Sequence, residues 1–530
     1  MAGGLAGLVA AGLAVGVGEL VALLTGPETA PVFAVGSAAI DLTPTPLKEF
    51  AVRNFGTNDK FVLLTGIYVT LAAIAVVAGI LALGRPVFGV AIVAGFGALG
   101  AWAALSRPVA GPSAMWPSIV GAAVGAVFLW FLARAYGGRS ATSSLGAAGT
   151  ESTESTEIAD SAESTDSAAA AGTVESGRRT FLTVAAGGAV VAATAGFGGN
   201  ALITRRYDVA GARSRVRIPV PATRAAAAPL GVHPNVAGLS EFFTPNSDFY
   251  RVDTALVLPQ IDPEAWSLRI HGMVDHPIEL SFADLLGRSL VEHDQTLSCV
   301  SNEVGGPYVG TARWIGAPLA DLLREAGVQR GADQLVGRSV DGMTIGTPVE
   351  SILDGREGLL AVAMNGEALP IAHGFPCRML VPGFFGYVSA TKWLVDLELT
   401  TFAAYDPYWV KRGWAKVAPV KTASRIDVPK PFARVNAGTV TVAGIAWATH
   451  RGIDAVQVRA DGGAWVEAHL APSDGPDTWR QWTCELVLAS GPRRLEVRAT
   501  DSSGAVQPEQ RADPFPDGSA GWHNVVITVN

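Results

Sequence analysis

The run Thr296-Leu297-Ser298-Cys299-Val300-Ser301-Asn302-Glu303-Val304-Gly305-Gly306 sets a cysteine among small and polar residues ahead of a glycine pair. That setting predicts a thiol on an open loop. Such a thiol can be a nucleophile, a ligand to a soft metal, or merely structural. Nucleophilic use requires a base or cation beside it, and His293 is near in sequence. The other two cysteines, Cys377 and Cys484, form no CxxC or CxxCH spacing. Zinc ribbons, iron–sulfur clusters and c-type haem therefore have no ligand set. Downstream, His373, Arg378 and Lys392 lie close in the chain. They read either as contacts to an anionic group or as a core imidazole and two surface charges.

The elements that must hold these residues are short. Trp266-Ser267-Leu268-Arg269-Ile270 alternates as a strand, and Ser281-Phe282-Ala283-Asp284-Leu285-Leu286 reads as a capped helix start. Ala317 to Gly327 is an amphipathic helix closed by glycine. Strands and helices in this irregular order predict an α+β domain over 235–429. No Gly-rich phosphate loop follows a strand, so a nucleotide or flavin site has no signal.

Ahead of that domain the chain has another character. Four runs with almost no charge, about 4–25, 61–83, 86–106 and 115–133, are long enough to cross a bilayer and make 1–136 a transmembrane region. The run at 31–40 is shorter and is expected to be interfacial or re-entrant. A Ser/Thr/Ala-rich acidic stretch without aromatic residues follows, and 137–177 is expected to be a disordered linker. Residues 178–200 then supply a fifth span, and 201–234 a second linker. Arg178-Arg179-Thr180-Phe181-Leu182 ahead of this span looks like a twin-arginine export signal placed internally; the other reading is two positive-inside arginines. With Arg85, Arg134 and Arg139 they favour a multi-pass protein of the cell membrane with a cytoplasmic N-terminus and residues beyond 200 outside the cytoplasm. All eight histidines lie past the fifth span, which leaves no bis-histidine haem in the membrane. Glu19 is the one charge well inside a span, suited to ion movement or to an interhelical hydrogen bond. The net charge of −8 is not that of a nucleic-acid binder.

Residues 430–530 run strand after strand, with turns such as Asp461-Gly462-Gly463, and predict an immunoglobulin-like β-sandwich of about seven strands. Trp447, Trp465, Trp479 and Trp482 are expected to pack core or interface. Cys484 is expected to be structural. The aromatic link from Tyr405 to Trp414 either faces the active-site mouth or packs between domains.

Taken in order, the Cys299 loop, Trp314-Ile315-Gly316-Ala317-Pro318-Leu319, Asp341-Gly342-Met343, Met364-Asn365-Gly366-Glu367-Ala368-Leu369-Pro370, His373-Gly374-Phe375-Pro376-Cys377-Arg378 and Lys392-Trp393 resemble the sulfite oxidase-type molybdopterin oxidoreductases. The resemblance implies a molybdenum–molybdopterin cofactor with Cys299 as catalytic residue and metal ligand. It implies cofactor contacts from His373, Arg378 and Lys392, from Asn246, Tyr250 and Arg251 at the pocket entry, and from Ser389 and Thr391 in the loop before Lys392. It also implies a C-terminal domain that mediates homodimers, and a separate electron partner, either a haem protein or a quinone-linked one.

The chain departs from the family at two places. Where sulfite-oxidising members carry Arg-Asn-His it reads Asp253-Thr254-Ala255, and Gly386-Tyr387-Val388-Ser389-Ala390-Thr391 has no arginine. Fewer cations suit a dianion such as sulfite poorly. The expected reaction is oxygen-atom transfer on a small or sulfur-containing substrate, with sulfoxide reduction, known in bacterial relatives, as a candidate. Two rival readings are a cysteine hydrolase, and a membrane-anchored scaffold with a degenerate pterin fold.

Overall fold

Runs of Ala, Val, Leu and Gly with almost no charge bury their backbone polar groups only as helices when they leave water. In the computed structural model, which describes residues 1–44, 47, 50–51, 54–55, 59–107, 111–137 and 163–530, they do so. Five helices among the described residues are long and apolar enough to cross a membrane. They are α1 (Ala2–Thr25), α3 (Asp59–Gly84), α4 (Pro86–Leu105), α5 (Trp116–Gly137) and α6 (Glu163–Tyr207), and the shorter α2 is Pro31–Leu42. Helix α1 packs against α3, α5 and α6, and glycine makes that possible. A Cβ added at Gly7 would lie 1.8 Å from the Ala75 carbonyl oxygen, and one at Gly121 2.3 Å from that of Ala14. Small residues let these helix backbones approach where any larger side chain would hold them apart.

Helix α6 corrects one expectation. Residues 163–177, expected in the disordered linker, are helical, because the Ala168–Ala171 run has the highest helix propensity and extends the span upstream. The rest of that linker, 138–162, lies outside the described residues, and so does the Arg139 used to argue orientation.

The chain divides into two units, Met1–Asp208 with Thr254–Val257, and Val209–Asp253 with Leu258–Asn530. In the second, one sheet has the order β3-β4-β7-β8 with β9 on β7, where β3 is Val291–Ser298, β4 Val309–Pro318, β7 Leu359–Met364, β8 Glu367–Ala368 and β9 Arg378–Leu380. The other has the order β2-β1-β10-β5-β6, and β1 (Ser267–Gly272) and β10 (Leu394–Thr400) run parallel at its centre. Its remaining strands are β2 (Ile278–Ser281), β5 (Gln334–Ser339) and β6 (Thr344–Pro348). Ser281 and Asp284 form a capping box at the expected helix start. The helix Leu319–Ala326 ends on Gly327, whose φ of 68° no branched residue adopts cheaply.

The second linker is built into the second unit over most of its length, from Val209 onward. Arg213 donates to the carbonyls of Leu369 (2.7 Å) and Ala368 (2.6 Å), and Thr223 forms a parallel bridge with Val291 of β3. Both contacts join residues far apart in sequence, so no local signal marks them.

The C-terminal region is a two-sheet sandwich of nine strands. One sheet pairs Ala423–Val428 (β11), Gly438–Trp447 (β13), Arg480–Leu488 (β17) and His469–Leu470 (β16) in that order, and the other Arg434–Val435 (β12), His523–Val529 (β19), Gly491–Asp501 (β18), Ile453–Ala460 (β14) and Val466–Glu467 (β15). Its first strand, β11 (Ala423–Val428), starts before the expected boundary at 430, because it pairs with β13 (Gly438–Trp447). Trp482 fills the sandwich core, with Cys484 beside it on β17 (Arg480–Leu488). Trp447 and Trp479 join the catalytic core instead. Trp465 meets Trp522 edge-on, between Arg459 and Arg498. The aromatic link packs between domains: Trp414 sits edge-on to Phe515 and at a tilt to Tyr387.

Candidate functional site

Strand β3 turns from half-exposed to fully buried along its length and delivers Cys299 at its buried end. The loop that follows is closed by its own backbone. Cys299 N donates to Tyr308 O at 2.9 Å, Asn302 N to Cys299 O at 3.1 Å, and Tyr308 N to Asn302 Oδ1 at 2.8 Å. The sandwich pins the loop from the other side, with Ser519 Oγ donating to Asn302 O (2.6 Å) and Arg425 to Gly306 O (2.9 Å). Gly305, at φ 82°, is in contact with the His523 ring, and a Cβ there would be 2.2 Å from it. Cys299 is therefore held in place, not left on an open loop as its neighbours suggested. Burial raises its thiol pKa, and hydrogen bonds from Ser301 and the Lys392 charge offset part of that rise.

Around the thiol the structure gathers residues from three parts of the sequence. Tyr250 stacks on Phe249 with centroids 5.4 Å apart, and burial, reinforced by Cys299 and opposed by Arg378, pushes its phenol pKa far up. It is a neutral hydroxyl at every physiological pH. His373 is 4% exposed, and its Nε2 donates to the Asn246 carbonyl at 3.2 Å, which fixes the tautomer. Burial and the Arg378 charge lower this imidazole to about 4, so it is neutral at pH 7. Arg378 is buried over the Trp314 ring at 5.6 Å, and burial draws its guanidinium down to about 10.

Asp253 organises the cations. It accepts two hydrogen bonds from Arg251, at 2.7 and 3.2 Å, and one from Lys392 Nζ at 2.7 Å. Burial lowers Lys392 to about 8 even against this carboxylate. Sequence reading saw Asp253 only as a departure from a family motif, since its partner Lys392 is 139 residues away.

The other expected contacts divide into two kinds. The Asn246 amide is spent on the chain: it donates to Met364 O (3.2 Å) and Glu367 Oε1 (2.6 Å) and accepts from Asn365 (2.9 Å). Ser389 Oγ donates to the carbonyls of Phe384 and Phe385, both at 3.1 Å, inside the short helix Gly386–Ser389. These two side chains shape the pocket from behind. Thr391 Oγ1 and Arg378 Nε, by contrast, are buried with no hydrogen-bond partner. Natural proteins rarely leave such groups unmet unless a ligand or ion completes them. The site thus presents one thiol, one neutral phenol, three cations against one carboxylate, and two polar groups awaiting a partner. That set fits an anionic, metal-bearing group held through sulfur.

The comparisons agree with this chemistry. Residues 255–409 match a family described as an oxidoreductase molybdopterin binding domain. The chain is 31% identical to a sulfite oxidase of Gallus gallus over 336 residues, covering 54% of this chain and 72% of that one. It is 30% identical over 359 residues to the mitochondrial sulfite oxidase of Macaca fascicularis, covering 57% of this chain and 64% of that one. It therefore spans slightly less than two thirds of the length of that relative. Among solved structures it is similar to the sulfane dehydrogenase SoxCD from Paracoccus pantotrophus, at 24% identity and a TM-score of 0.49, over 55% of this chain and 84% of that one.

Proposed function

The chain belongs to the sulfite oxidase family of molybdopterin oxidoreductases, and from that premise we propose that it is a membrane-anchored enzyme reducing a neutral sulfoxide-type substrate outside the cytoplasm. The observation that carries the reading is the convergence of Cys299, Tyr250, Arg378 and Lys392 from distant segments into one buried site. Cys299 is the protein's ligand to molybdenum, where metal binding takes the thiolate that burial alone disfavours. Arg378, Lys392 and Arg251 receive the anionic end of the pterin, with Arg378 Nε and Thr391 Oγ1 completing the polar contacts. When bound, this group supplies two-electron oxygen-atom transfer.

The protein's own residues then decide the substrate. Asp253 cancels one of the cations that a dianion would need, which favours an uncharged oxygen donor over sulfite. Tyr250 keeps its proton and is available to hydrogen-bond the substrate oxygen. The neutral His373 holds the Asn246 backbone in place. The C-terminal sandwich acts as an immunoglobulin-like dimerisation module, and Arg178-Arg179 as the export signal for the folded catalytic unit.

Metal and pterin analysis of the purified protein beside Cys299→Ser tests this reading. About one molybdenum per chain, with its spectrum altered by the substitution, is expected. Well-folded protein without metal from a molybdenum-replete host would overturn it.

A further inference from the structure

The first unit holds more than anchor helices. A cavity opens among α1 to α5 of this unit. Its lining is apolar, with Ala11 from α1, Val35 from α2, Leu71 from α3, Phe96 from α4 and Leu129 from α5. One polar side chain faces in: Ser118 on α5 is 3% exposed, and its hydroxyl is buried without a hydrogen-bond partner. In a bilayer-spanning bundle such a hydroxyl is costly unless a ligand meets it.

We propose that this cavity binds the headgroup of a lipid-soluble quinone, which serves as the electron partner of the catalytic unit; the proposal rests on the oxidoreductase reading above. The cavity lining carries no charged residue, so the ligand is neutral and a phospholipid phosphate has no counter-ion there. The lone hydroxyl suits one carbonyl or phenol oxygen, and Phe96 adds an aromatic side chain to the lining. No histidine or cysteine precedes His233, so these helices hold no haem or cluster and any carrier they bind is organic. The first unit also includes Thr254–Val257, which directly follow Asp253 in the chain. Lys60 Nζ donates to the Ala255 carbonyl at 2.7 Å, and Leu256 packs on Gly36 of α2, the helix that lends Val35 to the cavity.

The redox balance closes. A bound quinol gives up two electrons and two protons and becomes the quinone. The sulfoxide S–O bond breaks, its oxygen leaves as water with the two protons, and the sulfide is released.

The test uses the full holo-chain in lipid nanodiscs, with decyl-ubiquinone binding measured directly and sulfoxide turnover driven by decyl-ubiquinol or by a reduced viologen dye. Ser118→Ala is expected to weaken quinone binding about tenfold, the effect of one hydrogen bond. Val35→Phe, which fills the cavity, is expected to abolish binding and quinol-driven turnover. Both variants should keep the viologen-driven rate. Should either variant fold poorly, the other still decides the matter. Unchanged quinone affinity in the folded variants, or phospholipid recovered from the cavity in place of quinone, overturns the proposal. Quinone binding without viologen-driven turnover would instead sink the sulfoxide reading and leave the quinone site standing.

Discussion

Lys392 and Asp253, 139 residues apart in sequence, meet in the catalytic unit with the ammonium 2.7 Å from the carboxylate. The same carboxylate holds Arg251 with two hydrogen bonds. One buried anion thus sets the charge of the pocket and ties together two distant segments of the catalytic unit.

Replacing Asp253 with Asn leaves two cations facing each other in a buried place. Removing one member of such a group costs about 3–5 kcal/mol, so the unfolding midpoint of the full chain in detergent should fall clearly. Adding Lys392→Met to that variant should restore much of the loss, because the uncompensated charge is gone. Substrate preference should shift as well, with the KM for sulfite dropping about tenfold in the single variant.

Arg378 should show the opposite pairing of effects. Its guanidinium is buried, its Nε lacks a partner, and burial already pulls it down to about 10. Arg378→Met removes a costly buried charge, so the cofactor-free protein should melt about 2–4 °C higher. Pterin content after purification should fall at least tenfold, at about 1.4 kcal/mol per factor of ten. A variant less stable and still fully loaded would mean that Arg378 serves the fold.

A pH-dependent seam joins the sandwich to the catalytic sheets. Asp477 accepts from His293 at 3.0 Å and from His450 at 3.1 Å. Burial lowers the His293 imidazole, but the Asp477 hydrogen bond and charge outweigh it and the net shift is upward. Burial likewise raises Asp477, yet the two histidines outweigh it and hold it at about 2. The His293 contribution is complete below the ordinary histidine pKa and is lost as pH rises through its raised value. The Asp477 contribution is complete above the ordinary carboxylate pKa and is lost as pH falls toward 2. Stability of the seam should therefore be greatest between about pH 4 and 6.5. Melting curves across pH should show this maximum in the native chain and a flatter profile in Asp477→Asn.

The sequence pointed to the site through the ordered family resemblance of the segments holding Cys299, His373, Arg378 and Lys392, since each residue alone also allows a structural reading. What stayed hidden depended on pairing at a distance. Asn246 and Ser389 are polar residues of the right kind in the right segments, yet their side chains are consumed by nearby backbone. Asp253 and Asp477 each also take a partner more than a hundred residues away, Lys392 and His293. Hydropathy marked the membrane helices and missed the cavity among them, because it records which residues avoid water, not whether they fill the space between them.

The bridge between Thr223 and Val291 has a practical meaning for anyone cutting the protein. Strand β3 is the outer strand of its sheet, and a bare outer strand invites pairing with another molecule. Thr223 shields it: Ala222 N donates to Leu290 O and Glu292 N donates to Thr223 O, both at 2.8 Å. A fragment begun at 235, where the catalytic domain looks complete by composition, uncovers the strand that leads to Cys299. One begun at Val209 retains its own guard against aggregation.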